Sequence, residues 1–472
     1  MSRIHSQAET LFAEGSRLMS AGDAGGARSC FREAIVHDPD FAEAHANLGL
    51  LLDQEGMPAE AEHHYRRALF LNPALGRTQM NLGVLLTNGK RFAEAEAAYG
   101  RALELVPDFP AAWMNLGVLQ ACLKREKEAE RSYRKAIELD PDYRTAYFNL
   151  SYLLLRQGRF EEGWRCLEAR DWYERLEKNI PCPRWRGEPL EERSLLIGFE
   201  AGHGDMIQLC RYAKVLKTQG AGRITMLCHP LLKSLFTGLD GVDAVHAFDE
   251  TFTSPEWDFW TPPFSIPFHC RTRLDTIPAE IPYLRADETL AGKWSREISA
   301  KCAPAELRVG LVWKGSRQFE NDADRSLPDL GTLGPLGTVA GVRFFSLQKG
   351  AGEDEAAYPP DGLTLIDLGP RLTDFADTAA VMANLDLVIS VDTAVAHLAG
   401  ALGKDCWLLL PDYKTDWRWL TGRNDSPWYP GVMRLFRQPA MGDWASVIEE
   451  VRRALAKLAA TPDRARAERV RA

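Results

Sequence analysis

A repeat of 34 residues in the first third of the chain constrains its fold more than any other feature of the sequence. Columns of similar residues recur at this spacing. The proline column is Pro39, Pro73, Pro107 and Pro141, the glycine column Gly15, Gly49, Gly83 and Gly117, and the aromatic column Phe31, Tyr65, Tyr99 and Tyr133. Small residues let two helices approach closely, and proline ends a helix because it lacks an amide hydrogen. The pattern predicts a stack of helical hairpins, which is an α solenoid.

The length and the columns of the repeat resemble those of the tetratricopeptide family. The resemblance covers about residues 8–175, including a fifth, degenerate unit that begins near Arg144. We interpret the segment 158–176 as a capping helix, because a solenoid needs a cap over its last apolar face. The resemblance implies that the repeat surface binds a polypeptide or a partner protein.

A polar column recurs in the first helix of each unit. It consists of Asn47, Asn81, Asn115 and Asn149. We expect these side chains on the concave face, where an amide can both donate to and accept from the backbone of an extended chain. The alternative is that each asparagine only bridges adjacent hairpins. The first interpretation is favoured by resemblance to O-linked N-acetylglucosamine transferases, in which a similar asparagine ladder holds protein substrates.

The overall composition is that of a globular protein, with 472 residues, 26% charged residues and a net charge of -9. This negative balance argues against general binding of nucleic acid or anionic membranes. The nine cysteines form no CxxC pair, so we expect reduced thiols and no metal site. Since no long apolar stretch or signal peptide is visible, we expect a cytoplasmic protein without a membrane span.

The second part of the chain follows a proline-rich linker at residues 181–189. In it, short apolar runs alternate with amphipathic stretches, which predicts α/β layers. We expect two Rossmann-like halves, at residues 190–295 and 305–460, of which the second ends in a returning helix. Ligands of such sheets bind beyond the carboxyl ends of the strands, so the residues that follow the apolar runs are the candidates for a site.

Polar side chains follow several of these runs. Asp205, in a Gly-His-Gly-Asp sequence, could act as a general base or merely cap the next helix. Lys314 and Arg325 could neutralise a diphosphate, or they could be solvated surface charges. Asp392 and Thr393 open a predicted helix whose N-terminal amides suit a pyrophosphate. His397, one turn further on, could face the same ligand or lie satisfied in the core.

Taken together, these segments resemble GT-B glycosyltransferases of the heptosyltransferase (family 9-like) type over about residues 190–440. The most specific part is the run from Asp386 to Lys404, DLVISVDTAVAHLAGALGK. The resemblance implies that Asp205 is the catalytic base and that Arg325 stands where the family has a phosphate-binding lysine. It also implies the following ligand-binding residues: Asp392, Thr393 and His397 for the donor diphosphate, and Gln348 for the nucleotide.

The resulting hypothesis is an inverting, metal-independent sugar transfer. It needs no cofactor, because the nucleotide-diphosphate sugar is the donor substrate, and Asp205 would deprotonate an acceptor hydroxyl. The acceptor would be a polypeptide presented by the repeats. Two alternatives stay open: a non-catalytic scaffold with a relic transferase domain, and a transferase that acts on a glycan or a lipopolysaccharide.

Overall fold

The computed structural model describes residues 2–251 and 257–461. The chain divides into two compact units, residues 1–153 and 154–472. None of the described helices combines the length and the apolar character that a membrane span requires.

The first unit is built of helices that pair in sequence order, α1 with α2, α3 with α4, α5 with α6 and α7 with α8. Their bounds are α1 (Ser2–Ser20), α2 (Ala24–His37), α3 (Ala42–Gln54), α4 (Pro58–Leu71), α5 (Gly76–Asn88), α6 (Phe92–Leu105), α7 (Pro110–Cys122) and α8 (Glu126–Leu139), followed by α9 (Arg144–Arg156), which begins in this unit. Each proline of the repeat directly follows the C-cap residue of a second helix. The predicted helical solenoid is confirmed.

The glycine and aromatic columns meet inside each hairpin. A Cβ atom added to Gly83 would lie 2.6 Å from the ring of Tyr99, and one added to Gly117 would lie 2.6 Å from the ring of Tyr133. Tyr99 is 1% exposed, so its ring has no free space into which it could move. The aromatic residue therefore packs on the glycine of its own hairpin.

The second unit contains two parallel sheets. The strands of the first are β1 (Ser194–Ile197), β2 (Arg223–Cys228), β3 (Ala244–Ala247) and β4 (Phe259–Thr261), in the order β3-β2-β1-β4. The strands of the second are β5 (Leu307–Val312), β6 (Val342–Ser346), β7 (Leu365–Asp367), β8 (Leu387–Val391), β9 (Cys406–Leu410) and β10 (Met433–Arg437), in the order β10-β9-β8-β5-β6-β7. All pairings between these strands are parallel, as expected for two Rossmann-like halves.

Helices precede, connect and follow these strands, as parallel pairing requires. They are α10 (Phe160–Leu167), α11 (Glu174–Glu177), α12 (His203–Leu209), α13 (Tyr212–Thr218), α14 (Lys233–Phe236), α15 (Ile266–His269), α16 (Glu288–Ser299), α17 (Asp322–Arg325), α18 (Phe375–Met382), α19 (Ala394–Ala401) and α20 (Trp444–Ala459). The returning helix predicted from the sequence is α20, whose apolar face (Val447, Val451, Leu455) joins the core of the second sheet.

The segment interpreted as a cap of the repeats belongs to the second unit. Its helix α10 buries Trp164, which is 1% exposed and packs edge-on against Trp417 with 5.2 Å between ring centroids. The Trp164 indole also donates to the carbonyl of Thr272 at 3.1 Å. Trp164 of α10 is therefore buried against residues of the second unit.

The contact between glycine and tyrosine in the repeats gives a stability prediction. We expect Gly83→Ala to lower stability by about 1–3 kcal/mol, because the new methyl group overlaps the Tyr99 ring. Gly100→Ala is the matched control: this exposed glycine lies inside α6 with nothing within 4 Å of an added Cβ, and alanine should stabilise the helix by about 0.5–1 kcal/mol. Thermal unfolding followed by circular dichroism measures both, and equal shifts for the two variants would contradict the packing described.

Candidate functional site

Asp205 lies on the first turn of α12, beyond the carboxyl end of β1. Gly202 is the N-cap of α12, and its amide donates to Asp205 Oδ2 at 2.8 Å. Asp205 is therefore not the N-cap itself, but it folds back to stabilise the N-cap residue. The Asp205 carboxylate is 22% exposed, and burial raises its pKa against the opposing charge of Arg418.

Arg418 holds the second oxygen of that carboxylate. It belongs to the turn Trp417–Trp419 after β9, and its side chain is 6% exposed. One terminal nitrogen donates to Asp205 Oδ1, the other lies 3.0 Å from both oxygens of Asp416, and Nε donates to Gln208 Oε1. The Arg418 guanidinium thus links a loop of the second sheet to α12 of the first.

Asp392 follows β8 and lies close to the same cluster. Its Oδ2 accepts from the Trp419 indole at 2.8 Å. Burial and the charge of Asp416 raise the pKa of Asp392 to about 6, opposed by that hydrogen bond and by Arg325 and Arg418. Near neutral pH Asp392 is therefore ionised, and burial of this charge lowers the stability of the fold.

His397 is buried in α19 between two aromatic side chains. Its Nδ1 is 2.8 Å from the Tyr429 hydroxyl, and its ring stacks on Trp419 with 5.2 Å between centroids. Burial, together with Arg418, Arg211 and Arg325, holds the pKa of His397 well below its usual range. The imidazole is therefore neutral, and the structure gives it the bonded, buried environment of a core histidine.

The N-terminus of α19 is closely approached by α12. A Cβ added to Gly204 would lie 2.9 Å from the His397 ring and 3.5 Å from the backbone nitrogen of Ala394. Thr393 is the N-cap of α19 but makes no side-chain cap hydrogen bond, and its hydroxyl is 3.1 Å from that of Ser390. The first amides of α19 are thus not capped by the Thr393 side chain.

Arg325 reaches this cluster from the loop after β5. Its guanidinium lies 4.1 Å from the centroid of the Phe319 ring and donates to Asp322 at 3.2 Å. The charge of Arg325 lowers the pKa of both Asp205 and Asp392. Of the two cations predicted from the sequence for the diphosphate, Arg325 is thus the one within electrostatic reach of these carboxylates.

Lys314 and Gln348 make a different set of contacts. The Lys314 ammonium pairs with Glu355, whose other oxygen accepts from the Trp313 indole at 3.0 Å. Gln348 is 1% exposed. Its side chain accepts hydrogen bonds from the amides of Trp313 and Lys314 and donates hydrogen bonds to the carbonyls of Lys314 and Ala351. Gln348 therefore fixes the loops after β5 and β6, and its amide is occupied by backbone groups.

The asparagine column lies in the first unit, and all four side chains are partly exposed. The Asn115 amide is 3.6 Å from the sulfur of Met80, and the Asn149 amide is 3.7 Å from that of Met114. These contacts connect Asn115 and Asn149 to the preceding repeat, which is the bridging role weighed in the sequence analysis, and the Asn149 amide also donates to the carbonyl of Thr145 at 2.9 Å. Thioether sulfur is a weak acceptor, so these bridges bind the amides only loosely.

Two strained residues flank the cluster. Ala201, just before α12, has φ 57°, and Leu420, just after Trp419, has φ 49°. Side chains other than glycine rarely adopt this region, at a cost of about 1–3 kcal/mol each. Arg437 fixes the second turn by donating to the carbonyls of Trp419 and Leu420 at 2.7 and 2.9 Å.

Within the described part of the chain, no group of three or more His, Cys, Asp or Glu is placed to hold a metal ion.

The sequence analysis did not single out the residues that organise this cluster. Arg418, Trp419 and Tyr429 all lie between Asp416 and Pro430, a run from which the sequence analysis predicted no site residue. One sequence feature could have indicated Arg418, because it lies between two tryptophans. An arginine flanked by large apolar residues is a candidate for a buried side chain that forms an ion pair.

Because Asp392 is buried, we expect that removing its charge stabilises the protein by an amount that depends on pH. Its pKa is about 6 in the fold against an ordinary value of 3.8, so folding takes up a proton between these pH values and stability falls as the pH rises through this window. We expect Asp392→Asn to raise stability by about 2–3 kcal/mol at pH 7.5 and to change little below about pH 4. Thermal shifts at several pH values measure this, with the exposed Asp361→Asn as control. A gain that does not depend on pH would contradict it.

Comparisons with known proteins agree with this architecture. Residues 12–76, 81–143 and 127–181 match the tetratricopeptide repeat model, and residues 339–406 match glycosyltransferase family 9 (heptosyltransferase). The second match includes Gln348, Asp392, Thr393 and His397 but does not include Asp205, Lys314 or Arg325.

One curated relative and several solved structures are similar to the chain. Protein FlbA of Caulobacter vibrioides is 28% identical over 331 residues, which are 66% of this chain and 54% of FlbA, so the chain spans about half the length of that relative. The crystal structure of MamA is 22% identical, with a TM-score of 0.30 over 35% of this chain and 95% of MamA. PilF of Pseudomonas aeruginosa is 21% identical, with a TM-score of 0.33 over 37% of this chain and 87% of PilF. The chain thus carries tetratricopeptide repeats within residues 12–181 and a segment at residues 339–406 that matches glycosyltransferase family 9.

Proposed function

We propose that the protein transfers a sugar from a nucleotide-diphosphate sugar to an acceptor hydroxyl, with inversion and without a metal ion. The observation that carries this proposal is the approach of Asp205 on α12 to the N-terminus of α19, with Gly204 packed on His397 and Ala394. A candidate base and a candidate diphosphate seat then lie beside one another, beyond the carboxyl ends of two parallel sheets. This is where α/β proteins bind ligands.

The proposed reaction assigns the base to Asp205. Its carboxylate takes the proton of the acceptor hydroxyl as the acceptor oxygen forms a bond to the anomeric carbon of the donor sugar. The bond between that carbon and the diphosphate oxygen breaks, and the nucleoside diphosphate leaves as an anion. A raised carboxyl pKa, as burial gives Asp205, makes the carboxylate a better proton acceptor near neutral pH.

The departing diphosphate needs positive charge and hydrogen-bond donors. The first amides of α19 supply both, through unpaired N–H groups and the partial charge of the helix terminus. Thr393 adds a hydroxyl, and Arg325 adds a guanidinium. Lys314 is less suited than Arg325, because Glu355 already neutralises it, while Gln348 supports the loops against which the nucleotide would lie.

The repeats are proposed to present a polypeptide acceptor. Support comes from the partial exposure of the asparagine column and from the weakness of the bridges that Asn115 and Asn149 make to sulfur. A guest backbone offers amide and carbonyl groups that would be stronger partners for the same side chains.

Transfer of labelled sugar tests the role of Asp205. Purified protein is incubated with a panel of radiolabelled nucleotide-diphosphate sugars and a cell lysate, and label in macromolecules is measured. We expect Asp205→Asn to reduce transfer by about 10²–10⁴-fold, because an amide cannot take the proton. The exposed Asp240→Asn is the matched control and should transfer like the wild type.

Other outcomes of this experiment separate the alternatives. Equal transfer by Asp205→Asn and wild type would remove Asp205 as the base. No transfer from any donor, together with no thermal stabilisation by any nucleoside diphosphate, would favour the non-catalytic scaffold.

A second prediction concerns the acceptor. We expect replacement of both Asn81 and Asn115 by alanine to raise KM for a protein acceptor roughly tenfold, since two hydrogen bonds are lost. The matched double variant changes Glu104 and Glu138, which are exposed on second helices at the same spacing, and it should leave KM unchanged. Unchanged KM in the asparagine variant, with transfer to a glycan instead, would favour the glycan-directed alternative.

A further inference from the structure

Arg418 has no role in the proposed reaction so far, yet its guanidinium touches the proposed base. Its donors are shared among three acceptors on two elements: Asp205 and Gln208 on α12, and Asp416 in its own turn. The faces of Trp417 and Phe264 lie 4.5 and 5.5 Å from its central carbon. Aromatic walls and three fixed acceptors leave this guanidinium with one position.

We propose that Arg418 is a positioning residue for Asp205: its guanidinium keeps the carboxylate ionised and fixes its orientation, while Asp416 weakens this hold by sharing the guanidinium. The inference rests on the proposed function for the identity of Asp205 as the base. The contact itself does not depend on it.

The charges that face Asp205 come from three places. Arg418 and Asp416 belong to the turn after β9, Arg325 belongs to α17, and the Gly202 amide belongs to the N-cap of α12. Arg418 lowers the pKa of Asp205, Asp416 raises it, and Arg325 lowers it. Arg418 also acts on Asp392 and His397, so a measurement has to report Asp205 itself.

The opposite signs of Arg418 and Asp416 distinguish control of Asp205 from a merely structural role. Without Arg418 the buried carboxylate loses its counter-charge, and it should hold its proton to higher pH. Without the charge of Asp416 the repulsion is lost and the positive charge of Arg418 is shared with one carboxylate fewer, so the Asp205 proton should leave at lower pH. A role limited to packing would move neither titration.

The test is the titration of the Asp205 carboxyl group by ¹³C NMR of full-length protein labelled at the aspartate carboxyl carbons. The signal of Asp205 is assigned by its loss in Asp205→Asn. We expect Arg418→Met to raise the titration midpoint by roughly one to three pH units and Asp416→Asn to lower it. Arg418→Lys, which keeps the charge without the fork, should fall between wild type and Arg418→Met.

Circular dichroism establishes that each variant is folded. If Arg418→Met does not fold, Asp416→Asn decides, because it leaves Arg418 in place. Midpoints that stay at the wild-type value, or that move in the same direction in Arg418→Met and Asp416→Asn, would overturn the proposal.

Kinetics separate this inference from the proposed function. With the donor found in the transfer screen, the acid limb of kcat/KM should move with the NMR midpoint of each variant. Shifted midpoints with full transfer by Asp205→Asn would leave Arg418 in control of a carboxylate that is not the base. An inactive Asp205→Asn with unshifted midpoints would keep the base and overturn the role of Arg418.

Discussion

The ion pair between Arg418 and Asp205 joins the loops of the two parallel sheets, and the arrangement of the site depends on it. A buried ion pair is retained at a cost unless its remaining donors and acceptors are also satisfied. Here Gln208 and Asp416 take the other nitrogens of Arg418, and the Gly202 amide takes the second oxygen of Asp205. With α12 held in this way, Gly204 can pack on α19 without a side chain between them.

The same device recurs elsewhere in the second unit. Arg170 and Glu200 pair with side chains that are both 0% exposed, and Glu200 also accepts from the amide of Phe264. Arg211 donates to the carbonyls of Gln208, Pro278 and Trp428. Buried guanidiniums thus fix irregular loops to one another by several directed bonds at once, which a lysine could not do. A site built on loops becomes rigid through such supports.

Local features of the sequence were sufficient for the solenoid and for the α/β character of the second unit. Glycine, aromatic and proline columns act within one hairpin, and apolar runs such as Leu195–Ile197 are buried on both sheet faces. The candidate site depends on pairings that no local pattern specifies. Asp205 and Arg418, for example, are 213 residues apart in the chain. The sequence likewise does not indicate that Lys314 forms an ion pair with Glu355, whereas Arg325 acts on Asp205 and Asp392. Gln348 lies two residues beyond the end of β6, and its bonding to backbone groups follows only from the loop geometry.

The charges of the cluster bear on how an anionic donor would enter. Asp205, Asp392 and Asp416 stand against Arg325 and Arg418, because burial holds His397 neutral. A diphosphate would add further negative charge, which is unfavourable in a site of low dielectric. The cost falls if a carboxylate becomes protonated, or if an arginine leaves its carboxylate and binds the diphosphate instead. Asp392, with a pKa of about 6, can take up a proton on such an approach. Under the proposed function, donor binding and proton uptake at Asp392 are therefore coupled, and Asp205 keeps its charge because Arg418 is bound to it.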